Sequence, residues 1–163
     1  MIKYLKYSFL FFIIASFSSC DLTRTTPKNF VDTPNLFLVK MDDGEKIIVR
    51  KDYNDGLSFE NWNAYNVINT KLFNIERYEF KTSKNNLIKL KPFINSLSQT
   101  APEWLKTAEV IKEINDVKAE YMLLLGELDG STSIIRENCI ALNDEFNELR
   151  ENIHEVVENY KIS

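Results

Sequence analysis

Residues 100–160, TAPEWLKTAEVIKEINDVKAEYMLLLGELDGSTSIIRENCIALNDEFNELRENIHEVVENY, decide the fold. Val110, Ile114, Val117, Tyr121, Leu124 and Leu128 recur at alternating steps of four and three. Ile135, Cys139, Leu142, Phe146, Leu149, Ile153, Val156 and Tyr160 do the same. That period lays each set along one face of a helix. Asp129-Gly130-Ser131 interrupts the two runs, and Ser131 or Ser133 can cap the second. Thr100-Ala101-Pro102-Glu103 has the form of a capping box for the first, with Pro in the first turn. Two heptad stripes joined by a short turn predict a long antiparallel helical hairpin, over about 101–128 and 132–161, each arm roughly 40 Å long.

Further apolar residues flank each stripe: Trp104, Leu105, Ile111, Met122, Leu123 and Leu125 in the first arm, Ile134, Ile140 and Val157 in the second. A seam this wide calls for a third element to cover it. Phe59, Trp62, Tyr65, Ile68, Leu72 and Ile75 supply one, a helical stripe that Ser58 can cap. Its aromatic end, Ile75 to Lys81, reads equally well as a strand. Leu87, Leu90, Ile94 and Leu97 form another apolar face, which Pro92 must kink or break. Leu36–Met41 and Lys46–Arg50 are β-branched and apolar around Asp42-Asp43-Gly44-Glu45, a hairpin signal. The expected fold is mainly α: a helical bundle built on the long hairpin, with a small N-terminal β-hairpin over about 36–50.

The start of the chain is of another kind. Lys3 and Lys6 precede an apolar run, Tyr7 to Phe17, of 11 residues, and Ser18-Ser19-Cys20 follows. A membrane-crossing helix needs about 20 apolar residues, so this run reads as an export signal that is removed. The segment resembles the lipobox signal peptides of bacterial lipoproteins, with Phe17 where that pattern carries leucine. The resemblance covers residues 1–20 alone. It implies cleavage before Cys20 and lipid attachment to its thiol. The expected organisation is therefore a signal peptide over 1–19, a lipidated tether over 20–35 and one mainly helical domain over 36–163. Attached acyl chains, at about 0.8 kcal/mol per buried CH₂, would hold that domain on a bilayer.

With Cys20 lipidated, Cys139 is the remaining cysteine and no intramolecular disulfide is available. Residues 20–102 carry 12 Lys/Arg against 10 Asp/Glu, and residues 103–163 carry 6 against 14. The acidic second part argues against a nucleic-acid partner.

Catalytic signals are sparse. Glu151-Asn152-Ile153-His154 has the Glu-x-x-His spacing of di-iron bundles, but such sites need two of these motifs and the chain has one His. Four glycines leave no phosphate loop, and no Gly-x-Ser-x-Gly elbow occurs. Cys139 sits on the stripe and reads as a core thiol. Acid pairs such as Glu113/Asp116 and Glu148/Glu151 read as solvated helix charges. Asp42, Asp43 and Glu45 read as a turn. Phe59, Trp62, Tyr65 and Phe73 form the densest aromatic group, to be read as core or as anchors for a partner. The expectation is a non-enzymatic protein with no metal and no cofactor, lipid-anchored in the bacterial cell envelope, on the outer membrane facing the periplasm. It would act on a protein partner, as an accessory of an envelope assembly or as an inhibitor or immunity-type protein, with Phe59, Trp62 and Tyr65 as candidate contacts. The alternatives are a small-ligand or sugar-binding lipoprotein and, third, a hydrolase.

Overall fold

The computed structural model describes residues 35–51 and 56–160. Cys20, the signal and all but the last residue of the tether lie outside them. The described part is mainly helical, with a small antiparallel sheet N-terminal to the helices. The sheet has the order β1-β2-β3, from β1 (Leu36–Lys40), β2 (Lys46–Lys51) and β3 (Leu57–Phe59). Gly44 closes the β1–β2 turn at φ +86°, a conformation that suits glycine. Asp43 Oδ1 accepts from the Glu45 amide at 2.9 Å and completes the turn.

The third strand corrects one expectation. Ser58 does not cap a helix; it lies in β3, paired with Arg50. The helix begins later, as α1 (Asn63–Arg77). Asn66 explains the shift. Its side chain donates to the Phe59 carbonyl at 2.6 Å and accepts from the Phe59 amide at 3.0 Å. The amide thus imitates a strand partner and pins β3 to the first turn of α1. The Ile75–Lys81 segment is not a strand: α1 runs to Arg77 and a turn follows.

Pro92 breaks the next face into α2 (Lys84–Ile88) and α3 (Lys91–Ser96), entering α3 in its first turn where no N–H is missed. The capping box at Thr100 does not form. Pro102 is extended at ψ 138°, and a 3₁₀ turn at Glu103–Leu105 follows. Thr100 Oγ1 instead donates back to the Ser96 carbonyl at 2.8 Å. Thr107 caps α4 (Ala108–Gly126), accepting from the Val110 amide at 3.2 Å. α4 is therefore shorter than the stripe suggested. Ser131 begins α5 (Thr132–Tyr160), accepting from the Ile134 amide at 3.3 Å.

α4 and α5 make the most extensive helix contact, and α1 and α3 pack on one another beside them. Val110, Ile114, Val117, Tyr121 and Leu124 face Cys139, Leu142, Phe146, Leu149 and Ile153 in one buried cluster. Beyond Ile153 the buried residue is Val157, with Val156 half-buried. A strict heptad drifts about 20° per repeat on a straight helix, so the stripe slides off its face. No helix among the described residues is long and apolar enough to cross a membrane.

Candidate functional site

The two ends of the described domain differ. At one, the Trp104 ring meets Phe59 at 6.1 Å and Tyr160 at 5.7 Å, gathering β3, the 3₁₀ turn and the last turn of α5. Asn35 adjoins this sheet, its carbonyl accepting from the Lys51 amide at 2.8 Å. At the other end Lys84 pairs with Asp129 at 3.0 Å, and Arg136 Nε donates to the Glu79 carbonyl at 3.3 Å. Those bonds fasten residues 79–84 over the turn between α4 and α5. About 39 Å of helix separates Ile134 from Tyr160.

The 79–84 segment owes its path to how α1 ends. The Glu79 amide bonds the Glu76 carbonyl and the Phe80 amide bonds that of Ile75, both at 2.8 Å. This is a Schellman closure, whose left-handed position glycine usually fills. Here Glu79 and Phe80 take φ +55° and +61°. A left-handed residue with a side chain costs roughly 1–2 kcal/mol, and the half-buried Phe80 ring packed on the core offsets it.

Between this segment and the first turns of α5 runs a groove of about 640 Å³, bordered by Phe80, Lys81, Lys84, Ile135 and Arg136. A smaller one of about 170 Å³ adjoins it toward Lys71, Asn74 and Tyr78. The rim is basic, and its cations already have partners: Lys81 holds Glu79 at 2.8 Å, and Lys84 and Arg136 are engaged as above. The hydrogen bond and charge of Lys81 hold the Glu79 carboxyl below its ordinary range.

Large apolar side chains surround this end. Tyr78 is 65% exposed and Leu123 62%, with Met122, Ile88 and Ile134 also open. Ile88 adjoins Leu87, whose carbonyl accepts from Tyr121 Oη at 2.9 Å, so α2 lies beside the last turns of α4. Met122, Leu123 and Ile134 were expected beneath a third element; none covers them among the described residues.

The sequence-derived contacts fare differently. Phe59, Trp62 and Tyr65 are core. Trp62 and Tyr65 are fully buried and stack at 4.8 Å, and Tyr65 stacks on Phe146 at 5.5 Å. Trp62 Nε1 donates to the Leu97 carbonyl at 3.1 Å. Trp62 immediately precedes α1 and Tyr65 lies in its first turn; the one is enclosed between Phe59, Tyr65 and Leu97 and the other against Phe146 of α5, so both side chains are withdrawn from the surface. His154 is half-buried beside Ile153, and it is not part of the acid cluster that Glu113, Asp116 and Glu145 form among the described residues. Burial pushes the Cys139 thiol up to about 11, which keeps it protonated and unreactive at neutral pH. Glu113 is no solvated charge; it is buried, 5% exposed, within that cluster. The sequence left residues 75–81 open between helix and strand, because a turn closed by Glu79 and Phe80 carries no glycine signal.

No protein-family model, curated protein or solved structure matches this chain.

Proposed function

We propose that this is a lipid-anchored cell-envelope protein, held to a membrane through Cys20 and acting without catalysis by contact with a protein partner. The observation that supports it is the gathering of Tyr78, Ile88, Met122, Leu123 and Ile134 at the end away from the sheet. These are the large apolar side chains left exposed among the described residues, and their concentration at one end of the helices suits an interaction surface. The tether would enter at Asn35, beside the sheet. In this reading α4 and α5 are an antiparallel hairpin serving as a rigid spacer, with its turn at the end away from the sheet. The compartment is the bacterial envelope, on the outer membrane facing the periplasm.

The test has two arms. Wild-type protein incorporates labelled palmitate and partitions into the detergent phase, and Cys20→Ala does neither; equal labelling removes the anchor from the reading. Leu123→Glu combined with Met122→Lys leaves the melting temperature near wild type and abolishes capture of the partner from native membranes. Undiminished capture by that folded variant removes the contact surface.

A second reading, a small-ligand lipoprotein, draws on the groove at Lys81, Lys84 and Arg136. Its basic rim suits an anionic ligand better than a neutral sugar, and its occupied cations make it the weaker of the two.

A further inference from the structure

We propose that Glu113, Asp116 and Glu145 form a Ca²⁺ site that ties α4 to α5. Glu113 and Asp116 stand three residues apart on α4, and Glu145 comes from α5. Each offers a carboxylate oxygen, all within 4.8 Å of one another.

Acidic groups gather on many helical surfaces without holding a metal. The distinguishing feature here is Glu113. Its side chain is 7% exposed. Oε1 accepts from Lys112 Nζ at 2.9 Å, while Oε2 is buried with no hydrogen-bond partner. Folded proteins seldom leave a carboxylate oxygen in that condition, and a bound ion is one of the few ways to satisfy it.

The charges point the same way. Lys112 also bonds Asp116 at 2.9 Å, but it brings one positive charge to three carboxylates. Among the described residues Lys112 is the one cation bonded to the three acids, which leaves two negative charges unbalanced among them. A divalent cation would balance what remains. Lys112 is 66% exposed, so its ammonium can swing into water when the cation enters.

The donor set chooses the metal. Ca²⁺ accepts oxygen ligands at about 2.3–2.6 Å in flexible geometry, with carboxylates and waters mixed. Mg²⁺ at about 2.0–2.1 Å demands a near-ideal octahedron and keeps most of its waters, which three carboxylates fixed on two helices suit less well. An all-oxygen donor set with no imidazole or thiolate argues against zinc. The Asp116 side chain is 43% exposed, which leaves an open side for water ligands.

Calorimetry and thermal melting of the purified full chain decide the matter. We expect one Ca²⁺ per chain with a dissociation constant on the order of 10⁻⁴–10⁻³ M. At about 10 mM Ca²⁺ the melting temperature should rise by roughly 3–6 °C. Glu145→Gln and Asp116→Asn should each abolish the rise, and the more exposed Asp116 keeps the test open if one variant folds poorly. Lys112→Gln, which removes the competing cation, should tighten Ca²⁺ binding about fivefold. Absence of binding in both wild type and Lys112→Gln would overturn the proposal. So would a rise reproduced by NaCl at equal ionic strength, or one that survives Glu145→Gln.

Discussion

Replacing Trp62 by Phe tests whether the aromatic group is the core that it forms here. The indole is fully buried, stacks on Tyr65 at 4.8 Å, meets Phe59 at 5.7 Å, and donates from Nε1 to the Leu97 carbonyl. Phenylalanine keeps part of the stacking and loses the donor. A buried carbonyl left unpaired costs about 1–3 kcal/mol. The smaller ring leaves a gap that adds roughly another 1 kcal/mol. The expected loss is therefore about 2–4 kcal/mol, a large share of the 5–15 kcal/mol typical of a domain. With a urea slope of about 1–3 kcal/mol/M, the unfolding midpoint should fall by roughly 1–2 M. Circular dichroism reads it, since the substitution removes one of two tryptophans and compromises fluorescence. Trp104→Phe is the control. Trp104 is half-buried, and its ring contacts are edge-on at 6.1 and 5.7 Å. It should lose less than about 1.5 kcal/mol. If the two variants unfold at the same midpoint, the rings at 59, 62 and 65 do not hold the fold, and a contact role for Trp62 returns.

Two further outcomes follow from burial and charge. Leu149→Asp places a charge where a fully buried leucine stood, and truncation there alone costs about 2–5 kcal/mol. Cooperative unfolding should be lost, while exposed Glu148→Ala stays within about 0.5 kcal/mol of wild type; matching urea curves would mean the packed face of α5 is elsewhere. Glu145 holds its proton more tightly folded than unfolded. Its contribution is thus complete below the unfolded carboxylate range and lost as pH rises through the raised folded value. In chelator-treated buffer Glu145→Gln should melt above wild type at pH 7, with the gap closing toward about pH 4; a gap that is constant with pH would show that charge is not its cause.

The helical character, the β1–β2 turn and the buried positions from Val110 to Leu124 and from Cys139 to Ile153 were legible, because each rests on a local period. β3 was not. Its three residues, Leu57–Phe59, are too short for any pattern, and the Asn66 amide that holds Phe59 comes from seven positions on. Thr100 misled because a capping box needs its second and third residues to turn helical, and Pro102 stays extended. Thr107, without a Glu at its third position, caps with its hydroxyl alone.

The surface misread in two opposite directions, for one reason. Met122 and Leu123 are apolar, lie next to a seam and were expected to be covered; they are exposed. Glu113 is charged, was expected in solvent and is buried. A heptad gives each residue an angle on its own helix. It does not say whether another element lies at that angle, and that depends on where α1, α2 and α5 stop. α2 ends at Ile88 after little more than one turn, which leaves the end of α4 open. α5 runs for 29 residues and encloses Glu113 near its middle. With no disulfide between described residues, a continuous core must carry the fold. Every departure from that core is then informative. An apolar side chain left outside has no packing role to explain it, and an acid drawn inside has no solvation to hold it. A contact surface around Leu123 and a cation at Glu113 both begin at those departures.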